Sequence, residues 1–339
     1  MDKRLRLLKN FILISTPLFM IMLLAFFTPM YYMTEEYVLW RQEKDYVNRN
    51  NKSYVNFTRP DTKPLPQAGS PVETLIIGDS RAKSSIIPKQ LKPDGDIYNI
   101  GIGGATSIEM YYATGNYIKS YGAPKEALII FAPYHLCDID NWDQTLFNNY
   151  LTVGEISQVY KEAYRYKDEE ILRKGYLTEE LSFRLRLPTK YIAQMYDARL
   201  TGFFSRNKER YGSVADELGY CEFGKDPGND GVNYEVHHEY FDSSPLVLHY
   251  YDKLLKLLTE NGVKVKILQA PINEASSKAI HTAFVSGYEE FLSEIKEKYS
   301  DIYIMTELPV YENGYFGDNN HLNRSGAEKY TDWLKNMLY

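Results

Sequence analysis

At 339 residues the chain is long enough for one large α/β domain with additions. Its 39 Lys and Arg against 45 Asp and Glu leave a formal charge of -6, so nothing in the composition suggests nucleic-acid binding. Only two cysteines occur, Cys137 and Cys221, which excludes a disulfide framework and any cysteine-based metal spacing; both are expected as free thiols. Tyrosine is the oddity, at 31 residues: a tyrosine-rich surface suits stacking on sugar rings, and an AT-rich genome would inflate the count equally well.

Residues 1–9 form a basic tail, with Lys3, Arg4, Arg6 and Lys9 against Asp2, and no further charge appears until Glu35. The stretch between them, 10–34, is apolar enough, at about 1.5 Å per residue, to cross a hydrocarbon core of about 30 Å. It predicts a transmembrane helix, because the apolar run is longer than that of a signal peptide and no Ala-x-Ala site follows it. Tyr31, Tyr32, Tyr37 and Trp40 suit an aromatic belt on the far side, which leaves the tail cytoplasmic and the rest of a single-pass protein outside the cell membrane. Residues 35–71 hold Pro60, Pro64, Pro66 and Pro71 with little apolar periodicity and read as a linker.

From residue 72 to 339 the pattern is that of a parallel sheet: apolar runs of strand length at 74–77, 97–102, 127–132, 263–270 and 302–306, separated by helical segments. They predict a doubly wound, flavodoxin-like α/β domain whose ligand crevice lies at the C-terminal ends of five strands. The first run leaves the sheet through Gly78-Asp79-Ser80. A serine where a strand gives way to a helix has a nucleophile's position, although Gly, Asp and Ser are also what any such turn prefers. The second run ends in Gly101-Ile-Gly103-Gly104, whose glycines allow positive φ and let an N–H point at a developing oxyanion. A dinucleotide loop would also be glycine-rich, but the full fingerprint and a ribose-binding acid are missing.

Residues 137–245 form an insertion far longer than an ordinary connection. Helices are predicted over 155–176 and 178–200, with an irregular stretch over 202–245; the whole either walls the crevice and sets substrate choice or serves as a structural cap. His237 and His238 are adjacent and point different ways, so no metal is expected, and no cofactor. Residues 252–261 continue the helix that leads from the insertion to the fourth strand, and Gly262 ends it. Near the C-terminus Asp318 precedes His321 by three residues, close enough for the carboxylate to reach the imidazole; a solvated Asp in a capping loop is the plain alternative. Serine is inert until a base takes its proton and an acid orients that base, so Ser80, His321 and Asp318 are the required set. The last helix starts near Arg324, capped by Asn323, with Ala327, Tyr330, Leu334 and Met337 as its core stripe.

Gly78-Asp79-Ser80 near the start of the domain and Asp318-x-x-His321-Leu-Asn323 near its end resemble the SGNH, or GDSL, hydrolase superfamily, over about residues 72–135 and 250–339. The resemblance implies Ser80 as nucleophile, with the backbone N–H groups of Ser80 and of Gly104, which matches the second-block donor, as the oxyanion hole. The third block departs from the pattern: where a typical member reads Gly-x-Asn-Asp, this chain has Ala132-Pro-Tyr134-His135, so the amide donor is missing and His135 or Tyr134 is the candidate substitute. Anchored members often work beside a membrane-bound O-acyltransferase. The resemblance therefore implies a membrane-anchored acyltransferase that O-acylates, in the first instance O-acetylates, a cell-surface polysaccharide or teichoic acid. A cell-surface carbohydrate esterase or deacetylase is the alternative, and a non-catalytic glycan-binding scaffold the second.

Overall fold

The computed structural model describes residues 3–27, 71–93, 96–139, 142–147, 150–174, 214 and 217–339. A first helix, α1, spans Lys3–Phe27 with Pro17 inside it. Its first turns carry Arg4, Arg6 and Lys9, which a span must leave outside hydrocarbon. Among the described residues no helix is long and apolar enough to cross a membrane, so the spanning helix expected over 10–34 is not shown. Residues 28–34 and most of the linker lie outside the described residues.

All five predicted runs are strands of one parallel sheet. β1 (Thr74–Gly78), β2 (Ile97–Asn99), β3 (Glu126–Ile130), β4 (Lys264–Ile267) and β6 (Tyr303–Ile304) lie in the order β2-β1-β3-β4-β6. Thr74 pairs with Ile97 on one side and with Glu126 on the other. A separate two-stranded pair joins β5 (Ile272–Asn273) to β7 (Val310–Tyr311). The run over 97–102 is strand only to Asn99, yet its continuation stays alongside β1: Ile100 N–H donates to Ile76 O and Ile102 N–H to Gly78 O.

The helices are α2 (Ser80–Ser85), α3 (Pro88–Leu91), α4 (Ser107–Tyr121), α5 (Trp142–Phe147), α6 (Val153–Tyr166), α7 (Glu169–Lys174), α8 (Pro245–Glu260), α9 (Glu274–Ala279), α10 (Thr282–Lys298) and α11 (Arg324–Leu338). Alternate strand residues separate two cores, as the period of two requires. Leu75, Ile77, Ala127, Ile129, Val265 and Ile267 face α4, α8 and α10, while Ile76, Leu128 and Ile130 face α2, α3 and α11. Helices thus cover both faces, as a doubly wound sheet demands.

One boundary differs from the sequence pattern. The helix expected over 155–176 is broken into α6 and α7, because Lys167 turns left-handed (φ +55°) and the Asp168 carboxylate accepts from Ile171 N–H to begin a new helix. The segment 175–213, with the expected helix over 178–200, lies outside the described residues. The helix that leads to the fourth strand runs from Pro245 to Glu260, directly after the insertion, and a proline at its first position follows the Ser244 cap. From 217 to 244 the chain is irregular except for one 3-10 turn, Tyr234–His237.

Candidate active site

β1 ends at Gly78, whose φ of +149° and closeness to Ile130 O leave no room for a side chain: a Cβ there would lie 1.7 Å from that oxygen. The next residue, Asp79, is fully buried, and its Oδ1 accepts from Arg81 N–H at 2.8 Å to cap α2. Ser80 is therefore the first residue of α2, half-buried just past the end of β1.

The loop before α11 comes to meet it. Gly317 N–H donates to His321 O and Asn323 N–H to Tyr315 O, and the Asn323 side chain caps α11 by accepting from Gly326 N–H. This tight loop brings His321 Nε2 to 2.7 Å from Ser80 Oγ, across 241 residues of sequence. His321 Nδ1 stands 2.9 Å from both Asp318 carboxylate oxygens, and Asp318 Oδ1 also accepts the N–H groups of Asn320 and His321 at 2.8 Å. Burial alone would raise the Asp318 pKa, but His321 and the two backbone donors hold it below its ordinary 3.8. An ionised Asp318 keeps the imidazole proton on Nδ1 and leaves Nε2 as the acceptor facing the serine hydroxyl. The arrangement is chemically able to make Ser80 a nucleophile.

The glycine-rich loop lies at the same strand end. Gly104 has the positive φ expected of it, +71°, and the loop is pinned by Lys83 Nζ donating to Gly101 O and by Asn99 Oδ1 accepting from Gly101 N–H.

The third block folds as a 3-10 turn, Pro133–Leu136, and buries His135. His135 Nδ1 lies 2.6 Å from Asp79 Oδ2, which also accepts Ala132 N–H at 2.7 Å. Its Nδ1 therefore serves Asp79, and its Nε2 has no hydrogen-bond partner among the described residues. Burial would raise the Asp79 pKa; His135, the Ala132 N–H and Arg81 together hold it below 3.8. Tyr134, the other substitute donor expected from the sequence, is buried against His135 and Tyr234, with ring centroids 4.1 and 5.2 Å away.

Several residues at the site carry no signal in the sequence. Phe223, from the insertion, packs on the His321 ring with centroids 4.9 Å apart. Arg81 is buried and pairs with Glu235, and Asn320 accepts from the same guanidinium. The one hint is position, since Arg81 follows Ser80 and Asn320 precedes His321. Cys137 and Cys221 are both buried and form no disulfide with each other, and burial pushes the Cys137 thiol up to about 12. Among the described residues no group of three or more His, Cys, Asp or Glu is placed to hold a metal ion.

A parallel α/β domain with serine, histidine and aspartate linked by hydrogen bonds at the C-terminal end of its first strand is the class that fold and site define. Neither a family model nor a curated protein matches the chain. A solved structure of a candidate platelet activating factor from Streptococcus pneumonia aligns over 89% of this chain and 94% of its own, at 12% identity and a TM-score of 0.36. So loose a likeness carries nothing about this chain's fold or activity, which rest on the geometry above.

Proposed function

We propose that the chain is a serine acyltransferase of SGNH type. The observation that carries this reading is the hydrogen-bonded series Ser80 Oγ, His321 Nε2, His321 Nδ1 and Asp318. His321 takes the Ser80 proton as Oγ attacks an acyl carbonyl, and the tetrahedral oxyanion is held by the backbone N–H groups of Ser80 and Gly104. Collapse expels the donor's leaving group, which takes the proton from His321, and leaves an acyl-serine. An acceptor hydroxyl then gives its proton to His321, attacks the acyl-serine and departs as the ester while Ser80 recovers its hydrogen.

The acceptor in this reading is a hydroxyl of a cell-surface polysaccharide or teichoic acid, and the acyl group arrives from a membrane-bound O-acyltransferase. Two observations support transfer over plain hydrolysis. The third block brings no side-chain amide to the oxyanion, and the helix α1 leaves Phe11, Leu13, Ile14, Leu18 and Phe19 exposed, a surface that suits lipid better than water. Single-pass anchoring with the basic tail inside the cell is part of this reading; the charge of residues 1–9 and the apolar character of residues 10–34 taken together support it.

The test is the intact mass of the full chain in detergent, incubated with an activated acetyl ester and then with glycans. An adduct on Ser80 that persists in water and discharges onto a glycan is the expected result. Rapid loss of the adduct to water makes the protein an esterase, and absence of any adduct on the folded chain makes it a scaffold.

A further inference from the structure

Beside the acyl-serine machinery lies a buried ion pair that the proposed chemistry does not use. Arg81 Nη2 donates to Glu235 Oε2 at 2.6 Å and to Asn320 Oδ1 at 3.1 Å, and both charged side chains are almost fully buried, at 2% and 0% exposure. Arg81 is the neighbour of Ser80 on α2. Asn320 is the neighbour of His321, and its N–H donates to Asp318 Oδ1. Glu235 comes from the insertion, 154 residues away from Arg81. One guanidinium therefore touches the element that carries the serine, the loop that carries its base, and the insertion.

The rest of that insertion segment follows the same loop. Asp226 N–H donates to Gly317 O, Asn229 N–H to Asn313 O and Tyr234 N–H to Asn320 Oδ1, while Asn319 and Asn323 side-chain amides donate to Val232 O and Asp226 O. Residues 217–238 are a strap laid over the base loop, and Glu235 is where the strap reaches through to α2.

A buried ion pair adds little stability over apolar residues of the same size; its best-attested use is to fix one geometry. This pair is not built for stability, since Arg81 Nε and Nη1 and Glu235 Oε1 make no hydrogen bond among the described residues. What it does make is the bridge. We propose that Arg81 and Glu235 are positioning residues that set the Ser80 to His321 distance, so that the strap of the insertion is part of the working site. This rests on the acyl-serine reading.

The experiment measures labelling of the full chain by a serine-directed fluorophosphonate as a function of probe concentration, in the wild type, Ser80→Ala, Glu235→Gln, Arg81→Lys and Glu239→Gln. Arg81→Lys keeps the charge but puts it on a shorter side chain, whose ammonium does not reach the place where Nη2 meets Glu235 and Asn320 with the fixed geometry of a guanidinium. Both Glu235→Gln and Arg81→Lys should lower the maximal labelling rate by about tenfold to a hundredfold, the range expected when reacting groups are misplaced by about 1 Å. The probe concentration at half-maximal rate should stay near that of the wild type. Glu239→Gln, four residues along on the exposed surface, should label as the wild type does. A merely structural role would instead reduce the fraction of protein that labels and its Tm, and leave the maximal rate of the folded molecules unchanged. Wild-type labelling at Ser80 with the folded fraction of both variants at full rate overturns the proposal alone. Wild-type protein that does not label at Ser80 overturns the acyl-serine reading on which it stands.

Discussion

Asp79 and His135 form a carboxylate–imidazole pair 2.6 Å apart, wholly buried, from residues 56 apart in sequence. Ser80 thus has two such pairs for neighbours: Asp318 with His321, which is half-buried and reaches its hydroxyl, and this second one, which fastens the third block to the turn that carries the serine. The second pair ties the 3-10 turn at Pro133–Leu136 to the turn that carries the serine.

Asp79→Asn tests that role through pH. A carboxylate held below its unfolded value stabilises the fold in full above that value, about pH 4, and loses the contribution as pH falls towards the lowered one. Wild-type stability should therefore decline below about pH 4. Asp79→Asn should cost about 1–3 kcal/mol at neutral pH, with imperfectly paired donors left at Ala132 and His135, and show a shallower decline in acid. Urea unfolding at neutral and acid pH measures both. An acid decline as steep as that of the wild type would remove Asp79 from the account.

Ser80→Ala should abolish fluorophosphonate labelling while leaving the circular dichroism spectrum unchanged. Asp318→Asn should slow it by about 10²–10⁴-fold, because an amide no longer fixes the imidazole tautomer. Asp318 is held below its ordinary 3.8, so it stays charged across the working range. Rates measured from about pH 5 to about pH 8 should show no inflection that belongs to it. An inflection that disappears in Asp318→Asn would contradict this.

Gly224 and Gly317 meet backbone to backbone where the strap crosses the base loop. A Cβ on Gly224 would lie 2.2 Å from Gly317 C, and one on Gly317 would lie 2.0 Å from Gly224 O. Gly224→Ala should cost about 1–3 kcal/mol by forcing the two segments apart. It should also slow labelling, although residue 224 bonds to neither Ser80 nor His321. Gly262→Ala is the useful contrast: its added carbon meets nothing within 4 Å, so only the strain of a φ of +73° remains and labelling should stay intact.

At the opposite end of the strands, Glu126 accepts the Tyr339 hydroxyl at 2.6 Å and Lys266 Nζ at 2.6 Å, and the Lys92 and Lys266 ammonium groups lie over the Tyr339 ring. Glu126→Ala should destabilise by about 3–5 kcal/mol, since it leaves the Lys266 charge buried without its partner. Tyr339→Phe should cost only about 1–2 kcal/mol. Thermal unfolding ranks the two, and an equal loss would mean that the ring stacking rather than the charge pairing matters.

The parts that could be read from sequence are those set by local pattern. Five strands appear where apolar runs do, because a strand buried on both faces must be apolar throughout. Ser80, Asp318 and His321 were legible because the motif residues lie close together at each end of the domain. Asn323 was legible as a cap by its place before Arg324. What pattern misses is pairing at long range. Nothing in the stretch around Glu235 marks it as the counter-charge of Arg81, and nothing about His135 marks Asp79 as its partner, because a buried ion pair has no periodicity. The break between α6 and α7 was missed for the opposite reason: the Lys167-Asp168 turn interrupts a run whose helical signal continues on both sides. The membrane span was read from residues 10–34 together, of which the described part of α1 holds only a portion.

Phe223 on the face of His321 has a consequence for anyone who would shorten this protein. The insertion has the look of a removable lobe, hung between the third and fourth strands of a sheet that closes without it. Yet excising it would expose one side of the base to water, strip a buried guanidinium of its counter-ion and unclasp the loop that precedes the last helix. A chimera built on this frame would have to bring its own aromatic, its own carboxylate and its own glycine to the same three places. The insertion's returning limb, residues 217–238, and the sheet are therefore one unit of inheritance: that limb can change only in step with the serine's own helix.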